Sequence, residues 1–148
     1  MATFCPDKRG PALYPECKEC TEKNCKRFFC LVVGTRTFND YSLLKQKLDY
    51  YLQNHRHDAV IVSGGCRGAD LLAEDYAKEN GYPYYEFVPD WANLGKKAGP
   101  VRNEQMHEFI SKFPKRAVIA FWDGKSRGTA SNFELAKKYG NRIVTVRI

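Results

Sequence analysis

The residues best suited to chemistry lie in one short stretch, residues 60–72, which reads VIVSGGCRGADLL. An apolar run leads into Gly64, Gly65 and Gly68, and a helical pattern with Asp70 in its first turn follows. A strand, a glycine loop and a helix start favour anions, because the first N–H groups of a helix lack intrahelical acceptors and carry partial positive charge. The stretch therefore predicts a phosphate site, and a tight turn without a ligand is the alternative.

Four side chains of this stretch bear on that prediction. Arg67 carries a permanent positive charge on a planar fork that suits phosphate, and we count Ser63 among the ligand-binding candidates. Asp70 could accept from ribose hydroxyls or simply stabilise its own helix start. Cys66 is best interpreted as a small residue in a tight loop. As a nucleophile it would need a histidine partner, and the chain offers His55, His57 and His107.

Four of the six cysteines fall in residues 1–27, a segment with three prolines and no helical or strand periodicity. Their spacing, C-x11-C-x2-C-x4-C, suits a structural zinc ion, because zinc takes four thiolates in a closed tetrahedral site. Disulfides and an iron–sulfur cluster are the alternatives. We predict zinc that folds the segment without catalysing, and no redox cofactor; the proposed ligands are Cys5, Cys17, Cys20 and Cys25.

The rest of the chain supplies the elements that position these groups. Five apolar segments, beginning near residues 28, 59, 84, 117 and 143, alternate with amphipathic helical patterns. The third strand is predicted over residues 84–88, the first helix to reach about Asn54, and a later helix to begin at Pro100. Helical crossovers make successive strands parallel. The predicted fold of residues 28–148 is a Rossmann-like three-layer α/β/α sandwich with a mainly parallel five-stranded sheet, and residues 1–27 form a separate cysteine-rich segment.

In this topology the loops after the strands meet at the carboxyl edge of the sheet, where ligands bind. The long polar loop 89–99 is expected to form a wall of the site, and either Trp91 or Trp122 could stack on a base or pack in the core. Each loop or its helix start carries basic residues: Arg36, Arg67, Lys96, Lys97, Arg102, Lys125 and Arg127. The predicted ligand-binding residues are Gly34, Thr35, Arg36, Ser63, Gly64, Gly65, Arg67, Gly68, Asp70, Arg102, Asn103, Arg127, Gly128 and Thr129.

The net charge and the distribution of apolar residues indicate which classes of partner suit this protein. The formal net charge of +7 over 148 residues suits an anionic partner, either a small nucleotide or a nucleic-acid strand. No run of about 18 apolar residues could span a bilayer, and the N-terminus lacks the apolar stretch of a signal peptide. We therefore expect a cytoplasmic protein without a membrane partner.

Four motifs in order, GTRTF, SGGCRGAD, GPVRNEQM and GKSRGTASNFELA, resemble a known family. They are similar to the YspA-type, YpsA-related branch of the SLOG superfamily, which also includes the LOG phosphoribohydrolases and the DNA-processing protein DprA. The resemblance covers about residues 28–148 and leaves out the cysteine-rich segment. It implies a Rossmann-like domain that binds nucleotides or nucleotide-derived signals.

The LOG enzymes cleave a base from a nucleoside monophosphate with an arginine and a glutamate of a GGxGTxxE motif. Arg102 lies where the resemblance places the arginine, and Gly128 and Thr129 match the Gly-Thr. Glu134, however, follows Thr129 by five residues and not three, and the matching position is Asn132. Two residues on a helix turn a side chain by about 200°, and an amide cannot act as a general base.

Three functions follow from these patterns. The first is a sensor, sponge or effector that binds a nucleoside phosphate or an ADP-ribose-like ligand. The second is a phosphoribohydrolase or N-glycosidase, for which the catalytic candidates are Arg102, Glu134 and Asp123, with Asp70 and Asp90 as further carboxylates; whether the ligand is turned over is left open. The third, less favoured, is a nucleic-acid-binding protein. A homo-oligomer is expected.

Overall fold

A computed structural model describes residues 27–148 and places five parallel strands in one sheet. The spatial order is β3-β2-β1-β4-β5, and the strands are β1 (Phe28–Gly34), β2 (Ala59–Ser63), β3 (Tyr84–Glu86), β4 (Lys115–Trp122) and β5 (Ile143–Arg147). The cysteines predicted to bind zinc lie outside the described residues. The predicted parallel five-stranded sheet is confirmed.

Helices cover both faces of this sheet. One face carries α1 (Tyr41–Tyr51) and α2 (Ala69–Asn80), and the other carries α4 (Ala98–Ser111) and α5 (Arg127–Tyr139). Between β3 and α4 lie the short helix α3 (Trp91–Leu94) and a 3-10 turn (Gly95–Lys97). The predicted three-layer Rossmann-like architecture is therefore confirmed. Within residues 27–148, no helix combines the length and apolar character needed to cross a bilayer.

The central strand β1 is buried on both faces, as its nearly continuous apolar sequence predicts. Successive side chains alternate between the two helical layers. Phe29 and Leu31 pack with the α4 residues Met106 and Ile110, whereas Cys30 packs on the α1 and α2 side. This strand pairs with β2 on one side and β4 on the other. The sheet therefore has two cores, one beneath each pair of helices.

Several boundaries differ from the sequence prediction. The strand expected over residues 84–88 ends at Glu86, and the helix expected from Pro100 begins at Ala98. The predicted loop 89–99 contains α3, because the Asp90 carboxylate accepts from the Asn93 N–H at 3.2 Å and caps a single helical turn. The helix expected to reach Asn54 ends at Tyr51. None of these shifts moves an element to another face of the sheet.

Strand order reverses at β1, because the chain leaves β1 for β2 on one side and later returns to pair β4 on the other. The loops that follow β1 and β4 therefore diverge, and a crevice opens beyond their carboxyl ends. This is where the site lies.

Candidate functional site

A cavity of about 320 Å³ occupies the crevice, a volume at the low end of the usual range for small-molecule sites. It is bounded by the ends of β1, the turn before α2, the segment from α3 into α4, and the start of α5. Its lining comprises Val33, Gly34, Arg36, Cys66, Asp70, Trp91, Lys96, Gly99, Pro100, Arg102, Asn103, Met106, Ser126, Arg127, Gly128, Thr129, Ser131 and Asn132.

The first turn of α5 forms one wall, which we call the α5 wall: Ser126, Arg127, Gly128 and Thr129. Ser126 is the N-cap, and its hydroxyl accepts from the Thr129 N–H at 3.4 Å. A Cβ placed on Gly128 would meet nothing within 4 Å, so the backbone here borders open space. The N–H groups of a first helical turn have no intrahelical acceptors. This wall is therefore suited to an anion.

The turn that leads into the α5 wall is fixed by Asp123. One carboxylate oxygen accepts from the backbone N–H groups of Lys125 and Ser126, both at 2.8 Å. These bonds hold the pKa of Asp123 below its usual range. In return, the Asp123 N–H donates to the Thr35 hydroxyl at 3.3 Å, which joins this turn to the end of β1. Asp123 therefore shapes the turn and does not line the cavity.

Cationic side chains outnumber acidic ones in the lining. Arg36, Lys96 and Arg127 are exposed residues that border the cavity from the loop after β1, the 3-10 turn and the first turn of α5. Guanidinium groups hold phosphate and carboxylate oxygens in paired hydrogen bonds. Among the described lining residues, Asp70 is the only carboxylate. The cavity is thus strongly biased toward anionic ligands.

A second wall, which we call the glycine-loop wall, consists of Cys66, Asp70 and Arg102. Asp70 is 6% exposed, and its carboxylate accepts from the Cys66 N–H at 3.3 Å. Burial raises the pKa of Asp70 to about 6, while the Arg102 charge and the backbone amides of Cys66 and Gly64 act in the opposite direction. The amides predicted to hold a phosphate therefore face the chain's own carboxylate.

Arg102 braces this wall from α4. It is 6% exposed; one terminal nitrogen donates to the Gly64 carbonyl at 2.7 Å and to the Cys66 sulfur at 3.3 Å, and Nε donates to the Asn103 side chain at 2.9 Å. A buried guanidinium with these acceptors fixes the shape of the loop. Arg102 both lines the cavity and holds the glycine loop against α4.

The glycines of this loop make room for the protein itself. A Cβ on Gly64 would come closer than 3.0 Å to the Arg102 guanidinium. Gly68 has φ +83°, and its Cβ would run into the backbone of Thr35 and Arg36. These positions demand glycine because of packing and backbone conformation.

A chain of buried hydrogen bonds stands behind the α5 wall. Arg116 can only donate hydrogen bonds, so the Asn141 atom that lies 2.6 Å from its Nε is the amide oxygen. The Asn141 amide nitrogen therefore faces His107 Nδ1, at 3.2 Å. His107 Nε2 then carries the hydrogen and donates to the Asn132 oxygen at 2.9 Å. Asn132 in turn donates to the carbonyls of Gly128 and Thr129 at 3.1 and 3.3 Å. The first turn of α5 is therefore held from inside the protein.

Burial lowers the pKa of His107, so its ring is neutral at physiological pH, as the chain of donors requires. Within residues 27–148, no group of three or more histidine, cysteine or acidic side chains is arranged to hold a metal ion. The described site thus offers cations, amides and one carboxylate.

The structure brings eight of the residues predicted to bind ligand to the cavity: Gly34, Arg36, Asp70, Arg102, Asn103, Arg127, Gly128 and Thr129. Six do not line it. Ser63 is buried beneath the loop, where its hydroxyl bonds to Tyr84 at 2.6 Å and to the Asp70 carbonyl. Arg67 is exposed elsewhere on the loop. The others that lie outside the lining are Thr35, Gly64, Gly65 and Gly68.

The catalytic candidates are also separated. Arg102 lies in the glycine-loop wall, but Asp123 serves the turn before α5, and Glu134 is exposed outside the cavity. Asn132 is buried and lines the cavity, as expected for two positions on opposite sides of a helix. Trp91 lines the cavity, whereas Trp122 packs on Phe133 and donates to the Ser126 carbonyl.

Sequence reasoning missed two polar lining residues, Ser126 and Ser131. A signal was present for both. A serine before a helical pattern is a typical N-cap, and residues 128, 131 and 132 share one helix face through their three- and four-residue spacing.

Two solved structures share this fold. One is DNA processing protein A from Helicobacter pylori, reported with its single-stranded DNA binding mode, at 22% identity and a TM-score of 0.60 over 80% of this chain. The other is DNA processing protein A (DprA) from Streptococcus pneumoniae, at 19% identity and a TM-score of 0.57 over 84% of this chain. This chain spans 64% and 53% of those proteins, less than two thirds of either.

Sequence relatives identify the family. The model of the YspA, cpYpsA-related SLOG family matches residues 30–93, which run from within β1 through the glycine loop into α3. The Gene 61 protein of Mycobacterium phage D29 is 30% identical over 119 residues, which is 77% of this chain and 92% of that protein. With the fold and the glycine loop in place, these matches show that the chain belongs to the YspA, cpYpsA-related SLOG family.

Proposed function

We propose that this protein binds a nucleotide or nucleotide-derived ligand, a nucleoside phosphate or an ADP-ribose-like molecule, in the cavity. The observation that carries the proposal is the α5 wall, where an open first helical turn borders a cavity that also receives Arg36, Lys96 and Arg127. Backbone N–H groups and guanidinium forks together are effective ligands for phosphate. The phosphate would lie on this wall and not on the glycine loop.

The base would stack on Trp91. This side chain is 50% exposed and borders the cavity from α3, so half of its surface is accessible to an aromatic ring. Met106 contributes an apolar surface to the same cavity. A site with cations, an exposed aromatic face and a volume of about 320 Å³ matches a mononucleotide in chemistry and scale.

Binding is favoured over hydrolysis by the placement of the carboxylates. The helix position where the LOG motif has its glutamate is held by Asn132, whose amide is committed to His107 and the α5 carbonyls. Glu134 is exposed outside the cavity. A protein that captures its ligand intact would act as a sensor, sponge or effector. Phosphoribohydrolase activity is the alternative, and the same assay distinguishes the two.

The assay incubates the purified full chain with a panel of nucleoside phosphates, NAD and ADP-ribose. The protein is separated from the filtrate and denatured, and the released small molecules are resolved by chromatography. We expect one class of nucleotide to be depleted from the filtrate and recovered intact. Recovery as free base and ribose phosphate would establish the hydrolase. No depletion of any ligand would contradict the proposal.

A matched pair of variants localises the phosphate. Arg127→Ala removes a cation of the α5 wall, and we expect affinity for the captured nucleotide to fall about tenfold or more. Arg67→Ala removes a cation from an exposed position outside the lining and should leave affinity within about twofold. Equal losses in both variants would show that general charge, and not the α5 wall, drives binding.

Single-stranded nucleic acid is the second candidate, favoured by the surface beside the cavity. Val88, Trp91 and Leu94 are exposed hydrophobic residues on the α3 segment, and exposed Lys96 and Lys97 follow them. Aromatic and basic residues together suit stacked bases and a phosphate backbone. Affinity for an oligonucleotide that falls steeply with salt, without capture of a mononucleotide, would support this function.

The cysteine-rich segment carries a separate proposal of one structural zinc ion per chain. Metal analysis of the full chain should find one equivalent of zinc, and Cys17→Ser with Cys20→Ser should remove it. Zinc-free protein with paired cysteines would favour disulfides. The expected homo-oligomer stays a prediction.

A further inference from the structure

Asp70 is the one charge in the described lining that opposes an anionic ligand. Three exposed cations and the α5 wall attract phosphate, yet a buried carboxylate stands in the glycine-loop wall. An ionised carboxylate only accepts hydrogen bonds, and it repels a second negative group at short range. An anionic ligand in this cavity is therefore attracted by the α5 wall and repelled by the Asp70 carboxylate of the glycine-loop wall.

The position of Asp70 is fixed by the protein. Its carboxylate accepts from the Cys66 N–H at 3.3 Å, on a loop that Arg102 ties to α4 through the Gly64 carbonyl. Asp70 lies on the buried side of α2, and 6% of its surface is exposed. A phosphate bound to the loop amides would therefore have to replace this buried carboxylate.

Within residues 27–148, no direct ion pair neutralises Asp70: the ion pairs closer than 4.0 Å join other residues. Arg102 directs Nε at Asn103 and one terminal nitrogen at Gly64 and Cys66. Arg102 and Arg36 favour the charged form from a distance. The carboxylate keeps acceptor capacity that a ligand hydroxyl or amino group can use.

We propose that Asp70 is a specificity-determining residue, which accepts a hydrogen bond from a ligand hydroxyl or amino group and excludes a second phosphate from the glycine-loop wall. This inference rests on the proposed nucleotide binding and deepens it. The cavity should then prefer nucleoside monophosphates, whose single phosphate lies on the α5 wall, over the corresponding diphosphates. Inorganic phosphate should likewise be preferred over pyrophosphate.

The test measures dissociation constants by calorimetry for the four common ribonucleoside 5′-monophosphates, their diphosphates, phosphate and pyrophosphate. We expect the native chain to prefer the best monophosphate over its diphosphate by about tenfold. Asp70→Asn should reduce that preference about tenfold, because an amide can donate to a second phosphate. Asp75→Asn, an exposed carboxylate on the same helix, should leave the preference unchanged.

Each outcome bears on one claim. If the native chain binds monophosphates and Asp70→Asn keeps the same preference, Asp70 is not the determinant and the nucleotide site stands. If the native chain prefers diphosphates, the inference fails in the same way. If the native chain binds none of these probes but captures NAD or ADP-ribose, the inference fails and the proposed function stands. If it captures no nucleotide of either panel, the proposed function fails as well. A circular dichroism spectrum and a thermal melt confirm that each variant is folded.

Discussion

The two junctions that enter α2 and α5 look alike in sequence and differ in what they leave open. Each follows a buried strand, contains glycine and has a nearby aspartate. At α2, Asp70 lies inside the first helical turn and accepts from the loop at Cys66. At α5, Asp123 precedes the helix and accepts from Lys125 and Ser126, so its carboxylate lies outside the first turn, where the Thr129 N–H is bonded to the Ser126 hydroxyl. The position of the acid, and not the number of glycines, decides which junction holds a carboxylate inside its first helical turn.

The two aspartates respond oppositely to their surroundings. Burial raises the pKa of Asp70 to about 6, whereas backbone hydrogen bonds from Lys125 and Ser126 lower the pKa of Asp123. Keeping the Asp70 carboxylate charged in this buried, concave site lowers the stability of the fold. Buried charges of this kind are characteristic of functional sites. Asp123 is a surface carboxylate that serves the local turn. The comparison separates a group that lines the cavity from one that shapes the backbone.

The largest expected effect tests the glycines of the two junctions. Gly68→Ala places a Cβ against the Thr35 carbonyl at φ +83°, and we expect it to lower the free energy of unfolding by about 4 kcal/mol. Gly128→Ala adds a Cβ in open space within a helix, and should change it by no more than about 1 kcal/mol. Urea denaturation of both variants measures the difference.

A mild effect at Gly68 would mean that the loop can move away from Thr35, and the packing role assigned to the glycine would be wrong. A large loss at Gly128 would mean that the α5 wall is less open than the contacts indicate. Either result would weaken the contrast between the junctions.

The second prediction concerns the cost of burying Asp70. Its pKa is higher in the folded chain than in the unfolded one, so the folded state binds more protons between about pH 4 and pH 6 and loses stability as pH rises through that window. Asp70→Asn removes this loss. We expect the variant to match the native chain near pH 4 and to exceed it by up to about 3 kcal/mol above pH 6.

Denaturant melts of both proteins across this pH range measure the gap. Comparing the pair at each pH cancels the contribution of His107, whose lowered pKa destabilises the fold in acid and therefore has the opposite sign. If the asparagine variant is less stable at neutral pH, the bonds to the loop amides outweigh burial, and Asp70 is a structural residue like Asp123.

Much of the difference between the two junctions was predictable from the sequence. The apolar run of residues 60–62, the glycines and the following helical period place a βα junction without any tertiary information, because the signals are local. The same local spacing separates Asn132 from Glu134, since three residues after Thr129 keep the helix face and five residues leave it. The structure puts Asn132 in the lining and Glu134 in solvent.

What the sequence could not supply was long-range. The contact between Arg102 and the Gly64 carbonyl joins residues 38 positions apart, and it is this contact that turns a predicted phosphate ligand into a brace for the loop. The direction of the Asp70 carboxylate is likewise set by the folded loop. The sequence did not predict the short helix α3, because a single capped turn produces no periodic pattern.

The smallest expected effect concerns Asn132, which holds the first turn of α5 from inside the protein. Asn132→Asp keeps an acceptor for His107 but replaces the donor that serves the carbonyls of Gly128 and Thr129. Two acceptors then face each other in a buried place, and we expect a loss of about 2 kcal/mol at neutral pH. Asn80→Asp, which removes a similar bond to the Tyr76 carbonyl at an exposed site, should cost less than about 1 kcal/mol.

Affinity for the captured nucleotide gives a second measurement on the Asn132 variant. The new carboxylate lies in the cavity lining, and the lost hydrogen bonds to the Gly128 and Thr129 carbonyls loosen the first turn of α5. We expect weaker nucleotide binding in Asn132→Asp and unchanged binding in Asn80→Asp. If Asn132→Asp loses stability but binds as tightly as the native chain, the α5 wall is not where the phosphate lies. The glycine loop would then return as the anion site, and the contrast between the two junctions would have to be reversed.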